Sequence, residues 1–160
     1  MHDTVLAISN HFKHLVEHNG LNPLLYERTG RLRHEKFAHL LFFGLADTYC
    51  DANNLDLSRD PNAGRGAVDF KLSSGYRSRV LVEVKYSSHN GFGSSFQRQL
   101  PAYARSEKSK STVLLIIRTT PGSRQIDAIK RLRSDALGRG RRVPDIIVVD
   151  ARPKESASRV

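Results

Sequence analysis

The chain has 160 residues, 26 of them Lys or Arg and 16 Asp or Glu, giving a formal net charge of +10 and a pI near 10.2. That length and a hydrophobic fraction of 39% fit one folded domain, and no run approaches the roughly 18 apolar residues that a membrane span needs. A lone cysteine, Cys50, excludes an internal disulfide and a thiolate metal cage, and the start Met1-His2-Asp3-Thr4 lacks the basic region of an export signal, so a reducing, cytoplasmic setting and a polyanionic partner are expected.

In chain order, Val5, Ile8, Phe12, Leu15 and Val16 recur at helical spacing and predict an amphipathic helix over 4–18, stopped by Asn19-Gly20. A loop over 21–30 leads to a second helix over 31–49, apolar nearly all round through Phe37, Leu40, Leu41, Phe42, Phe43 and Leu45 and so expected to be buried. The polar stretch 51–66 reads as loop around a weak strand at 54–58. Two clearer strands follow at 67–73 and 79–86, joined by a short turn at Ser74-Gly75, which predicts an antiparallel pair.

A glycine- and serine-rich loop precedes a helix over 95–107 that contains Pro101. The continuous aliphatic run 112–118 reads as a buried strand, and Ser123 as the N-cap of a helix to Leu137 with Ile126, Ile129 and Leu132 inward. A further buried strand at 145–149 and a polar tail over 151–160 close the chain. The alternation predicts one α/β domain over 1–160, with an N-terminal helix and loop (1–30), a core (31–150) holding a mixed sheet with helices on both faces, and the tail.

Chemistry concentrates at Glu83-Val84-Lys85. A strand's period of two puts the carboxylate and the ammonium on one face, and Asp69 on the preceding strand brings a second carboxylate beside Glu83. Two adjacent carboxylates repel unless a cation neutralises them, and hard oxygen ligands suit Mg²⁺. A lysine next to such a site would orient or deprotonate a water, or stabilise charge in a transition state, which suits phosphodiester hydrolysis.

Asp69 followed after a hairpin-length gap by Glu83-Val84-Lys85 resembles the D…(D/E)xK signature of the PD-(D/E)XK nuclease superfamily. Val68 stands where the family name has Pro. Glu35, before the strands, resembles an accessory acid of that superfamily, and Gln99-Leu100-Pro101-Ala102-Tyr103 is similar to the QxxxY motif of its RecB-type and lambda-exonuclease-type branches, with Gln97 a rival to Gln99. The element order over 31–149 is similar to the αβββαβ core of the restriction-endonuclease-like fold, extended here by the N-terminal helix and a C-terminal helix and strand.

The resemblance implies a metal-dependent deoxyribonuclease of a restriction, phage-defence or DNA-repair kind. Asp69, Glu83 and the Val84 carbonyl would hold Mg²⁺, for which Mn²⁺ substitutes. Lys85 would act on the water, Glu35 would assist, and Gln99 and Tyr103 would support the site or the substrate. Arg131 and Arg133, in the dense basic stretch 124–142, are the candidates for phosphate contact. Targeting would come from a homodimer or a partner protein. The rival is a catalytically inactive nuclease-fold module that binds nucleic acid or assembles a larger complex, and an RNA substrate is a further alternative. His11, His14 and His18 read as solvated, and His89 as a polar loop residue outside the site.

Overall fold

The structure is a computed structural model and describes residues 1–59, 68–89, 92–122 and 124–153. Helix α1 (His2–His18) buries Val5, Ile8, Phe12 and Val16, the stripe its spacing predicts, and ends where Gly20 takes φ +80°. His11, His14 and His18 are exposed.

The expectation of a helix from Arg31 is corrected. Gly30 at φ +80° turns the chain back so that Leu32 bridges to Tyr26, while the Arg33 amide donates to the Leu25 carbonyl. This turn consumes residues 31–33, so helix α2 runs over Lys36–Ala52 with Glu35 as its N-cap residue. Nor is α2 buried all round: it packs through Ala38, Phe42, Ala46 and Cys50, whereas Phe37 and Leu40 are 41% and 43% exposed. Every fourth residue faces the sheet, and Glu35 and His39, three residues before Ala38 and Phe42, flank that face.

Strands β1 (Asp56–Arg59), β2 (Phe70–Ser73), β3 (Arg79–Tyr86), β4 (Ser111–Arg118) and β5 (Asp145–Asp150) form a single sheet in the order β1-β2-β3-β4-β5. The first two pairings are antiparallel and the last two parallel, so the sheet is mixed as expected. Gly75 at φ +69° makes the tight connection between β2 and β3. Ala67, the expected start of β2, lies outside the described residues, as do the Ser123 cap and the tail beyond residue 153.

One face of the sheet, with Val80, Val82, Val84, Val113, Leu115 and Phe70, packs on α1 and α2; Phe42 meets Phe12 and Phe70 at ring-centroid distances of 5.5 and 5.1 Å. The free edge of β5 is covered by α1: the Asp150 amide donates to Glu17 Oε1 at 2.7 Å and Lys13 Nζ donates to the Val148 carbonyl at 2.6 Å.

The other face, with Leu81, Leu114 and Ile116, packs on the helical segment before β4 and on α5 (Arg124–Gly138). That first segment comprises α3 (Phe92–Ser94), a π-helical stretch Ser95–Gln99 and α4 (Leu100–Ser106). Pro101 has no N–H to give to a helical ladder, and the widened turn, in which the Leu100 amide donates to the Ser95 carbonyl, places it in the first turn of α4. On α5, Ile126 and Ile129 are buried as expected, but Leu132 is 42% exposed, so the inward stripe is shorter than the periodicity suggests. Among the described residues no helix is long and apolar enough to cross a membrane.

Candidate active site

Asp69 precedes β2 by one residue, and because Phe70 pairs with Val82, antiparallel register sets Asp69 opposite Glu83. The two are joined: the Asp69 amide donates to Glu83 Oε2 at 3.3 Å, and the Val84 amide donates to Asp69 Oδ2 at 2.7 Å. Glu35 reaches the same place from the start of α2, where the Tyr86 amide donates to its Oε2 at 2.7 Å. All three carboxylates are buried, Glu83 to within 2% of complete burial.

Lys85 lies among them. Its Nζ is 3.1 Å from Glu83 Oε1, 3.4 Å from Glu35 Oε1 and 3.9 Å from Asp69 Oδ2. Burial works against the ammonium, but the charges of Asp69, Glu83 and Glu35 outweigh it and hold the Lys85 pKa above its ordinary value. Glu83 is pushed up to about 7, first by burial and then by the charge of Asp69, with Lys85 opposing. One lysine therefore leaves this carboxylate pair under-neutralised.

Two histidines that the sequence reading leaves out belong to the same cluster. His39 Nε2 is 3.2 Å from the Val84 carbonyl oxygen and 3.8 Å from Glu35 Oε1, and its Nδ1 is 3.6 Å from Asp69 Oδ1. Burial keeps its pKa below the usual imidazole value, against the pull of Glu35. Its position four residues after Glu35, on the Phe42 side of α2, is the signal that could have found it. His89, set aside as a loop residue, has Nδ1 3.1 Å from Glu35 Oε2, in the turn where its amide donates to the Tyr86 carbonyl. Its sequence position, three residues past the end of β3, carries no pattern that marks it.

The other expected residues divide. Tyr103 is half-buried, and its phenol is held up by burial and by the Glu83 carboxylate, which puts it within electrostatic reach of the cluster. Gln99 is exposed, and its side-chain oxygen accepts from Ser95 Oγ at 2.7 Å. Gln97 is exposed and lines a depression beside α5. Arg131 is exposed on α5. Arg133 instead ties α5 to the start of β5, donating from Nε to the Pro144 carbonyl at 3.0 Å and from Nη2 to Asp145.

No group of three or more His, Cys, Asp or Glu side chains among the described residues is arranged so as to hold a metal ion. The donor set nevertheless fits Mg²⁺, which is commonly held by one or two carboxylates with water and substrate oxygens in the remaining positions. Asp69 and Glu83 are the carboxylates placed to take those positions, and a divalent charge would oppose the repulsion from Asp69 that helps to push the Glu83 pKa up. The Val84 carbonyl, the expected third ligand, faces His39 Nε2.

Residues 1–121 match the profile of a family described as Domain of unknown function (DUF8371), and the chain belongs to that family. The matched region runs from α1 to just past β4 and includes Glu35, Asp69, Glu83 and Lys85. No curated protein and no solved structure matches the chain.

Proposed function

We propose that this DUF8371 member is a Mg²⁺-dependent nuclease of the PD-(D/E)XK kind that hydrolyses DNA phosphodiester bonds. The observation that carries the reading is the meeting of Glu35, Asp69, Glu83 and Lys85, from three separate elements, within one hydrogen-bonded cluster. Lys85→Ala should abolish metal-dependent cutting of supercoiled and linear DNA, with Asp69→Ala as the contamination control. Cutting by Lys85→Ala at the wild-type rate would refute the assignment.

Asp69 and Glu83 would hold the ion, and when bound it would polarise a phosphate oxygen and lower the pKa of a water. The chain's own groups have distinct tasks. Lys85, held protonated by three carboxylates, is a poor base at neutral pH and a good source of positive charge, so its work is to stabilise the negative charge that builds on the phosphoryl oxygens. The Val84 amide fixes the Asp69 carboxylate, and the Tyr86 amide fixes Glu35, which in turn orients the lysine. Tyr103, Gln99 and Arg131 would meet the substrate from the α4 and α5 side, whereas Arg133 has its contacts within the chain. The net charge of +10 and the single buried cysteine accord with a nucleic-acid partner in a reducing, cytoplasmic setting.

A second reading follows from one observation: the Lys85 ammonium already sits among the carboxylates, as it would in an ion-pair cluster that serves only the fold. A non-catalytic, nucleic-acid-binding module would then show salt-sensitive binding and no cutting with Mg²⁺ or Mn²⁺.

A further inference from the structure

A second cationic surface lies away from the carboxylates. Two depressions of about 420 and 570 Å³ open side by side between α4 and the stretch that leads from α5 into β5, and they share Pro101, Arg105, Arg142 and Val143 as lining. Their rims carry Arg105, Lys108, Lys110, Arg139, Arg141 and Arg142, all exposed. None of the six is in an ion pair among the described residues, whereas Lys71 is held by Glu107, Arg133 by Asp145 and Arg152 by Asp150. Asp135 is the only acid among the described residues that line either depression. Between the rims the floor is uncharged, formed by Pro101, Ala104, Thr112, Val143 and Pro144.

Six cations with no ion-pair partner among the described residues, set around an uncharged floor, repel one another, and an extended polyanion is the occupant that relieves all of them at once. The position narrows the choice. Lys108 and Lys110 precede β4, and Arg142 precedes β5, so the groove lies at the N-terminal ends of these strands, while Lys85 pairs with Ile116 further along β4. Glu83 pairs with Leu114, four residue steps along β4 from Lys110 at the groove, or about 13 Å at roughly 3.3 Å per residue, so one backbone lying along this face of the sheet reaches both.

We propose that the groove between α4 and the β5 approach docks the phosphate backbone of duplex DNA on the same face of the sheet as Glu83 and Lys85. The choice of DNA rests on the nuclease reading. Docking itself needs neither the metal nor cleavage, so the two can fail separately.

The test is binding of a fluorescein-labelled 20-bp duplex to the full chain in EDTA, followed by anisotropy across a salt series. Lys108→Ala/Arg141→Ala/Arg142→Ala should make the slope of log K against log salt shallower by about 2–3, at about 0.9 per phosphate contact. Arg28→Ala/Arg31→Ala/Arg59→Ala removes the same charge from exposed positions elsewhere and should change the slope by less than about 1. Equal changes in the two triple variants would overturn the groove, because a diffuse field would then account for binding. An unchanged slope in the groove variant would also overturn it, as would a loss seen only with phosphatidylserine vesicles or single-stranded RNA. Metal-dependent cutting by a groove variant with unchanged slope would discard the groove and leave the nuclease standing. A reduced slope in a protein that never cuts would keep the groove and discard the nuclease.

Discussion

The coupling between Glu83 and Asp69 predicts how the metal-free fold responds to pH. In the folded chain Glu83 is pushed up to about 7, whereas in the unfolded chain its carboxyl ionises near 4.5. Between those values the unfolded state gives up a proton that the folded state keeps, so stability is full below the lower value and falls as pH rises toward the higher one. At about 1.36 kcal/mol per unit, and with pH 5 and pH 8 as the measured points, the loss is about 2–3 kcal/mol. Glu83→Gln removes the titration. It also replaces one acceptor by a donor beside the Asp69 amide or Lys85, which costs about 1–3 kcal/mol at every pH. The diagnostic quantity is therefore the difference between the two proteins' pH responses. Urea unfolding in EDTA at pH 5 and pH 8 should show the wild type losing about 2–3 kcal/mol more than Glu83→Gln across that interval. Parallel responses in the two proteins would refute the premise that the carboxylates are under-neutralised.

Mg²⁺ added at pH 8 should raise the wild-type melting temperature and leave Asp69→Ala unmoved, since a ligand that binds only the folded state stabilises it by mass action; equal shifts in both would place the ion elsewhere. Arg133→Ala should lower stability by about 1 kcal/mol in urea melts through the lost Pro144 and Asp145 contacts. Arg131→Ala should leave stability within about 0.5 kcal/mol. Phe42→Ala removes the ring that α2 sets between Phe12 and Phe70 and should cost about 3–5 kcal/mol, read as a lower urea midpoint.

How far the sequence reveals this arrangement depends on which forces set each part. The strands were legible because β3 alternates Val80, Val82 and Val84 against Leu81, Glu83 and Lys85, and a one-residue slip against β2 would turn Phe70 and Leu72 away from the face of the valines. The antiparallel pair brought Asp69 near Glu83 in the sequence reading, and the observed register sets the two opposite each other. The start of α2 was not legible, because a positive-φ turn at Gly30 and a single bridge from Tyr26 to Leu32 outweigh the helical preference of the residues that follow. The buried face of α2 was misjudged for a related reason. Phe37, Leu40, Leu41 and Leu45 make the larger apolar stripe, yet the small residues Ala38 and Ala46 flank Phe42 and let the helix approach the sheet closely. Once the Phe42 face is known to be the inner one, Glu35 and His39 fall at the cluster by helical spacing alone. His89 depends on a loop conformation that no periodicity encodes.

The charges in the cluster also separate chemistry from affinity. By formal charge, Glu35, Asp69 and Glu83 contribute three negative charges against one positive charge from Lys85, and protonation of Glu83 still leaves these four groups negative. A polyanion gains nothing by approaching such a site, and a divalent charge is what brings the fully ionised cluster to neutrality. The attraction that brings DNA to the protein must then come from cations outside the cluster, and the six exposed ones around the α4 groove are placed to supply it. Binding in EDTA should accordingly survive the loss of Asp69 and weaken with the loss of the groove arginines, whereas cutting should fail with either Asp69 or the metal removed. If Asp69→Ala weakened metal-free binding as much as the groove variant does, the cluster would be attracting the backbone, and this electrostatic division would be wrong.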